Sequence, residues 1–292
     1  MAIPFNPLAE EVQRRLVARG HDIGTTGPLG NGVDGQAGTL TFAAMLAELP
    51  LPTTSIAPRC DPPAEGLSFA QQQIDAAFLK IAFPQSSLAE LEQWVEPTRQ
   101  ACVKWGIDTF REVASFLANI SVETAGLTRL EESLNYSVRA LIEKFGRHRI
   151  SVADANRYGR GNGHPANQEA LANILYGGAW GAKNLGNIHH GDGWKFKGYG
   201  PKQLTGRHNQ SEYAAAIGMP LDDIPAWVRT PEGGMDSAGW YWKSRDMDEV
   251  AATPGFRDDR VAVNGGTFGL PEAEDIFDRL IAELLRREKQ NA

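Results

Sequence analysis

The 292-residue sequence has little cysteine, no long apolar run and no excess of positive charge. Its two cysteines, Cys60 and Cys102, are too few for a disulfide framework, so both are expected to be free thiols. No run of about 18 apolar residues is present, so stable membrane insertion is not expected. The net charge of −7 argues against nucleic acid as a partner, because phosphate binding depends on clustered lysine and arginine.

Metal-binding spacings and a secretory signal are also missing. The six histidines show neither H-E-x-x-H spacing nor pairing with cysteine, and the neighbours His189 and His190 cannot easily ligate one ion. Residues 1–16 lack the basic flank and apolar core of a secretory signal. We expect a monomer without metal or cofactor that is made in the cytoplasm.

Glycine and proline are plentiful, and their placement divides the chain into three segments. Residues 1–52 carry helical patterns around a turn-rich loop, which predicts a small domain of the three-helix type near the lower size limit of an independent core. Residues 53–67 are proline-rich and are interpreted as a linker. Residues 68–292 form the third segment, in which helical patterns alternate with long glycine-rich loops.

The third segment is predicted to be a mainly α domain. Helical periodicity covers 69–83, 88–105, 109–125, 167–176, 209–217, 234–244 and 270–288. Pro97 is expected to kink or split the second of these helices, because proline lacks a backbone donor. No strand is predicted, since no segment alternates apolar and polar residues for the length of a strand.

The predicted helix at 109–125 ends on a candidate acid. Thr109 and Glu112 have the spacing of a capping box, which predicts where the helix begins. Its expected end places Glu123 in the last turn, beside unpaired carbonyls and the negative end of the helix dipole. A carboxylate is disfavoured there, so the pKa of Glu123 is expected to rise, as a general acid requires.

Glu131 and Glu132 are the candidates for a second carboxylate. If the helix continued, Glu132 would lie about 13 Å further along its axis, so a chain reversal at Gly126 is needed to bring it back to Glu123. A carboxylate separation of about 6.5–9.5 Å would predict inversion at a sugar carbon, and about 5 Å would predict retention. Paired glutamates are a weak indication by themselves, because charged residues at helix ends are usually surface residues.

Three separated motifs follow the order of one known family. Residues 121–126 (SVETAG) and 132–137 (ESLNYS) resemble the HETGG…ENLNYS stretch of phage endolysins and chitinase-like enzymes of glycoside hydrolase family 19. Residues 197–207 (KGYGPKQLTGR) are similar to the YRGRGxxQLTGR segment of that family, and residues 260–266 (RVAVNGG) to its R-x-I-NGG signature. The resemblance implies a lysozyme-like, α-helical glycosidase domain.

This resemblance also implies a role for each matched residue. Glu123 corresponds to the general acid and Glu132 to the second carboxylate, with the adjacent Glu131 as the open alternative. Thr205 corresponds to the hydroxyl that helps to hold the nucleophilic water. The implied substrate-binding residues are Gln203, Asn209, Asn264 and Tyr136.

A few positions depart from the family pattern. Val122 stands where a histidine usually precedes the acid, and Ala125 replaces the first of two glycines. Tyr199 stands at the arginine of the GRG motif, so an arginine contact near the cleft is expected to be missing. These departures concern substrate preference and leave the acid–base pair in place.

The N-terminal segment has a resemblance of its own. Residues 12–16 (VQRRL), Gly20 and residues 34–44 (DGQAGTLTFAA) are similar to the VxxLQxxLxxxG…DGxxGxxT pattern of peptidoglycan-binding type 1 domains. A generic helical hairpin is the alternative, since Asp-Gly turns are common. Anchoring on an insoluble polymer would raise the local concentration of substrate around an attached enzyme.

Together the two resemblances predict a phage-type endolysin that hydrolyses β-1,4 bonds of bacterial peptidoglycan as a muramidase. Peptidoglycan is its expected partner, and its expected route runs from the host cytoplasm to the periplasm and cell wall at lysis. A chitinase acting on N-acetylglucosamine polymers is the alternative within the same fold. A wall-binding protein with a degenerate catalytic half is the alternative from a different class.

Overall fold

The structure is a computed structural model and describes residues 66–124, 127–161, 163–253 and 255–291. Within these ranges, Glu123 and Asn264 are described by their backbones alone. The predicted N-terminal domain, 1–52, lies outside the described residues, as does the predicted linker except for residues 66 and 67. The wall-binding domain therefore stays a prediction.

The described residues form a mainly α fold, which confirms the fold class predicted from the sequence. β-Structure in these ranges is confined to isolated bridges, such as Glu131 with Tyr199. None of the described helices is both long and apolar enough to cross a membrane. The elements in chain order are α1 (Phe69–Gln72), α2 (Ala76–Ala82), α3 (Leu88–Trp105), α4 (Phe110–Thr124), α5 (Val138–Lys144), α6 (Val152–Tyr158), α7 (Gln168–Leu175), α8 (Gly178–Leu185), α9 (Asp192–Lys195), α10 (Arg207–Ile217), a 3-10 turn (Leu221–Asp223), α11 (Ile224–Trp227), α12 (Pro231–Ser244), α13 (Met247–Ala251), α14 (Arg257–Asn264) and α15 (Leu270–Asn291).

Hydroxyl side chains begin many of these helices. The side chains of Ser87 and Ser137 accept backbone N–H groups in the first turns of α3 and α5. At α4 the predicted capping box is confirmed, because Thr109 Oγ1 accepts from Glu112 N at 3.2 Å and Glu112 Oε2 accepts from Thr109 N at 3.0 Å. Each cap satisfies amide groups that a helix leaves unpaired at its start.

Two helix predictions need correction. The segment 69–83 holds two helices, because the side chain of Asp75 accepts the N–H of Phe78 at 2.7 Å and begins α2 separately. The split considered at Pro97 is wrong, since α3 is a single helix across that residue. Buried side chains on both sides of the proline pack against α2 and α12, and this packing outweighs the missing hydrogen bond.

Two apolar clusters divide the described fold. The larger one includes α1 to α4 and most helices after residue 206, with α3 packed on α12 and α4 packed on α15. The smaller one contains Leu134 and Leu171 and is built from the segment before α5 and from α5 to α7. Leu130 packs against the larger cluster, and Leu134 belongs to the smaller. Glu131 and Glu132 therefore lie where the chain crosses between the two clusters.

A buried carboxylate joins four helices of the larger cluster. Asp236 on α12 accepts hydrogen bonds from Trp105 Nε1 at 2.9 Å and from the hydroxyl of Tyr213 at 2.7 Å, and it lies 2.7 Å from Lys104 Nζ. The Tyr213 oxygen accepts from Trp227 Nε1 at 3.0 Å. Burial, and then the charge of Asp236, raises the pKa of Tyr213, so its hydroxyl remains a donor at neutral pH.

Replacing Asp236 with alanine is expected to lower the free energy of unfolding by about 3 kcal/mol, because buried donors then lose their acceptor. Urea unfolding curves measure the loss. Asp222→Ala is the matched control, since Asp222 pairs with Lys195 on the surface and exposed pairs contribute about 1 kcal/mol or less. Equal losses in the two variants would contradict the role given to Asp236.

Candidate active site

The chain turns directly after α4. Thr124 Oγ1 accepts the N–H of Leu127 at 3.2 Å, and the Thr124 carbonyl accepts the N–H of Arg129 at 3.4 Å. Leu127 has a φ of 63°, in the left-handed region that residues other than glycine seldom adopt. The reversal predicted at Gly126 falls on an undescribed residue, but a turn follows it at once and leads toward Glu132.

A short two-stranded pairing places Glu132. Its backbone N–H donates to the Gly198 carbonyl at 2.9 Å, and the N–H of Gly200 donates to the Leu130 carbonyl at 2.8 Å. Glu131 and Tyr199 form the antiparallel bridge between these bonds. Residues 130–132 and 198–200, far apart in sequence, thus lie side by side and bring the start of the ESLNYS motif to the KGYGPKQLTGR motif.

The Glu132 carboxylate is half-buried and held by two donors. The hydroxyl of Tyr176 donates to Oε1, and the N–H of Gly198 lies 3.3 Å from Oε2. Burial and the charge of Glu132 raise the pKa of Tyr176 and, to a smaller extent, that of Tyr136. Tyr176 therefore keeps its proton and can go on donating it to the carboxylate.

Gly198 is the point at which three of the predicted site residues meet. A Cβ atom at this position would lie 2.6 Å from Gln203 Oε1, 3.1 Å from Thr205 Oγ1 and 3.4 Å from Glu132 Cβ. The Thr205 hydroxyl donates to the Gln203 carbonyl at 2.9 Å. The structure thus brings Glu132, Gln203 and Thr205 into one polar cluster.

Glu131 has a different environment from its neighbour. Its Oε1 lies 2.7 Å from Lys197 Nζ, and its Oε2 lies 3.2 Å from Arg229 Nη1. The Arg229 guanidinium also stacks over the ring of Tyr199, 4.7 Å from the ring centroid. Glu131 is thus engaged by two cations, which favours Glu132 as the second carboxylate.

This arrangement corrects one sequence expectation. An arginine contact was expected to be missing because Tyr199 occupies the arginine position of the GRG motif. Arg229, which precedes α12, places its guanidinium against that tyrosine and Glu131. The arginine comes from another part of the chain, so the motif alone could not reveal it.

The remaining predicted site residues lie around this cluster or at helix ends. Asn209, in the first turn of α10, donates from Nδ2 to the Thr205 carbonyl at 2.8 Å. Tyr136 packs edge-on against Phe145, at 5.4 Å between ring centroids. Glu123 is the penultimate residue of α4, in its last turn as predicted, and Asn264 is the last residue of α14.

A buried arginine fixes α14 against α4. Arg260 Nη1 lies 3.4 Å from Asn119 Oδ1 on α4, and Arg260 Nε donates to the Phe268 carbonyl at 2.9 Å. A Cβ at Gly269 would lie 3.7 Å from Val122 Cβ, so the loop after Asn264 touches the last turns of α4. The arginine of the third motif thus holds the helix that ends on Asn264.

Tyr176 is a further site residue that the sequence did not reveal. It follows α7 and packs on the smaller cluster, where Arg149 lies 5.9 Å from its ring. An aromatic residue at the end of a short apolar helix is typical of a core position. Only the contact of its hydroxyl with Glu132 distinguishes it.

A cavity of about 390 Å³ lies among α7, α8 and the loop that follows α8. Its lining includes Asn173, Gly177, Asn187 and His190, and it does not include Glu132. Within the described ranges, no cluster of three histidine, cysteine, aspartate or glutamate side chains could hold a metal ion.

Gly198→Ala is expected to reduce turnover about tenfold to a hundredfold, because the new methyl group would displace Gln203 and crowd Thr205. Gly198 does not have a positive φ, so alanine fits its backbone and the melting temperature should change little. Steady-state kinetics together with thermal melting would test this. A variant with wild-type turnover would show that the cluster at Gly198 is not part of the catalytic site.

The chain resembles several known proteins. No family model matches it. A glycosyl hydrolase family 19 domain-containing protein of Haemophilus influenzae is 31% identical over 176 residues, which are 58% of this chain and 78% of that protein. Chitinase C from Streptomyces griseus, a crystal structure, is similar with a TM-score of 0.49 and 17% identity, over 75% of this chain and 96% of that one. A bacterial family 19 chitinase is similar with a TM-score of 0.44 and 16% identity, over 72% of this chain and 94% of that one.

Proposed function

Because the chain belongs to glycoside hydrolase family 19, we propose that it hydrolyses the β-1,4 bonds of bacterial peptidoglycan as an N-acetylmuramidase. The observation that carries the proposal is the Glu132 carboxylate, held by Tyr176 and by the N–H of Gly198 beside Thr205. A carboxylate fixed by hydrogen bonds next to a hydroxyl group is suited to hold and deprotonate a water molecule.

In this mechanism Glu123 protonates the oxygen of the leaving sugar, and Glu132 removes a proton from the attacking water. The Thr205 hydroxyl donates to the Gln203 carbonyl, so its oxygen accepts a hydrogen bond from that water. Gln203, Asn209, Asn264 and Tyr136 bind the sugars. Direct attack by water inverts the configuration at the sugar carbon, and proton NMR of the first product anomer tests this step.

We further propose that residues 1–52 bind the cell wall and that the protein is the endolysin of a phage. It would be made in the host cytoplasm and would reach the periplasm and wall at lysis. A full-length Glu123→Gln chain is then expected to co-sediment with purified sacculi without degrading them. A chain that stays in the supernatant would contradict the wall-binding part of this proposal.

Mass spectrometry of digested sacculi tests the reaction itself. Muropeptides with muramic acid at the reducing end support the muramidase assignment, whereas glucosamine at that end indicates a glucosaminidase. An anhydro sugar would indicate a lytic transglycosylase, and free stem peptides would overturn the glycosidase assignment altogether.

Chitin oligosaccharides, incubated in parallel, test the alternative substrate. A chitinase would cut these oligosaccharides and leave sacculi intact. The family assignment is compatible with that outcome, because both substrates are β-1,4 polymers of N-acetylated amino sugars. The resemblance of residues 12–44 to a peptidoglycan-binding pattern is the reason to favour the wall.

A further inference from the structure

A buried lysine forms an ion pair with the residue next to the candidate base. Lys197 precedes Gly198, and its side chain is only 1% exposed. Its Nζ lies 2.7 Å from Glu131 Oε1 and 2.9 Å from the centroid of the Trp194 ring. Burying a charged ammonium group is costly unless an opposite charge and an electron-rich surface compensate it, and here both are present.

The partner of this lysine is the residue next to the base. Glu131 and Glu132 are consecutive, and so are Lys197 and Gly198, in the two segments that pair at the bridge. Glu131 is directly opposite Tyr199 and Glu132 is opposite Gly198, so the side chain of Lys197 reaches Glu131 diagonally across the pairing. One peptide unit joins each member of the ion pair to a member of the Glu132–Gly198 contact, so a change in the ion pair can shift that contact.

Arg229 completes the surroundings of Glu131. Its Nη1 lies 3.2 Å from Glu131 Oε2, and its Nε donates to the Pro225 carbonyl at 2.7 Å. Arg229 is half exposed and Lys197 is buried. Solvent therefore screens the Arg229–Glu131 interaction more strongly than the Lys197–Glu131 interaction. Lys197 is therefore the principal counter-charge of Glu131.

We propose that Lys197 and Glu131 act as a positioning pair for Glu132. Their ion pair holds Glu132 in place opposite Gly198, and the positive charge of Lys197 compensates the negative charge of Glu131 beside Glu132. The inference rests on the proposed function, in which Glu132 must be ionised to accept a proton from water. An uncompensated Glu131 would oppose that ionisation, because like charges on neighbouring residues disfavour the charged form.

The other ionisable groups near Glu132 stay unchanged in every variant that tests this proposal. Tyr176 donates to Oε1 from the end of α7, and Tyr136 lies close enough for the charge of Glu132 to raise its pKa. Arg149 packs behind Tyr176, with its guanidinium 5.9 Å from the ring. Glu131 and Lys197 are the groups whose charge the experiment changes.

Two single substitutions should move the pH dependence in opposite directions. Lys197→Met leaves Glu131 less compensated, so the acid limb of kcat/KM should move to higher pH by about half a unit. Glu131→Gln removes the negative charge and leaves two cations nearby, so the acid limb should move to lower pH by a similar amount of about half a unit. The double variant should return close to the wild-type profile.

Carbon-13 NMR of the Glu132 carboxyl group measures the same shifts without substrate. This measurement separates the positioning pair from the proposed function. If the wild-type protein cleaves no glycan, the proposed function is wrong, and the NMR titration still tests the role of the Lys197–Glu131 pair. If Lys197→Met fails to fold, the isosteric Glu131→Gln variant decides alone. A lower Glu132 titration midpoint supports the pair.

Arg279→Met and Asp275→Asn provide the matched control. These residues pair at 3.6 Å on the exposed surface of α15, so their substitutions change charge by the same amounts away from the site. Their pH profiles should equal that of the wild type. Shifts of the same sign in Lys197→Met and Glu131→Gln, or unchanged titrations in both, would overturn the inference.

Discussion

A Glu123→Gln variant is expected to cleave glycan strands about a thousandfold more slowly than the wild type, a loss of about 4 kcal/mol of transition-state stabilisation. A sugar alkoxide is a very poor leaving group, so the reaction depends on a proton donated to the bond oxygen. Glutamine keeps the size and polarity of glutamate and has no acidic proton to give. The loss should appear in kcat, while KM changes little.

The nature of the leaving group distinguishes a lost acid from a damaged site. An aryl glycoside of an oligosaccharide that the wild type cleaves releases a phenolate, which needs little protonation. Glu123→Gln should therefore lose far less activity on the aryl glycoside than on the natural polymer. Equal losses on both substrates would show that Glu123 acts in another way, and wild-type activity on both would remove it from the mechanism.

The position of Glu123 in its helix was predictable because the signals are local. Thr109 and Glu112 satisfy each other's backbone amides at the start of α4, and the sequence displays their spacing directly. Helical periodicity then carries the chain to the last turn. The meeting of Glu132, Gln203 and Thr205 was implied by the order of the family motifs, and no periodicity could have supplied it.

The partners of Glu132 and Glu131 were not predictable for a physical reason. Tyr176 and Arg229 reach their carboxylates across 44 and 98 positions of the chain, and Lys197 pairs with Glu131 from a similarly distant segment. Such contacts depend on how the two apolar clusters meet, which a linear pattern does not encode. Each residue alone is ordinary: an aromatic residue in a core, a lysine and an arginine.

Short helices were missed for a different reason. No helix was predicted between 167–176 and 209–217, yet the structure has α8 and α9 there. The sequence of α8, GAWGAKNL, has glycines within its first half, and glycine lowers helix propensity by about 1 kcal/mol per residue. Tertiary contacts with α7 and α10 stabilise α8 where propensity does not.

A Glu132→Gln variant is expected to lose about a hundredfold to a thousandfold in kcat, because an amide cannot accept the proton of the attacking water. Unlike the loss at Glu123, this loss should be equally large on the aryl glycoside, since water must be activated whatever group leaves. Parallel kinetics on the two substrates therefore assign acid and base separately. A Glu132 variant that retains activity on both substrates would transfer the role of base to another carboxylate.

Tyr176→Phe tests the environment of the base without removing it. The variant loses the hydroxyl that donates to Glu132 Oε1, and a hydrogen bond to a charged group contributes about 1.5–3 kcal/mol, so turnover should fall by at least about tenfold. Because the lost donor favoured the ionised carboxylate, the acid limb of the pH profile should move to higher pH.

Tyr136→Phe is the matched control. Tyr136 lies near the same charge without donating to Glu132 among the described contacts, so the acid limb of the Tyr136→Phe variant should stay in place. Equal shifts in the two variants would mean that Tyr176 acts by burial alone, and no shift in either would separate Tyr176 from the reaction.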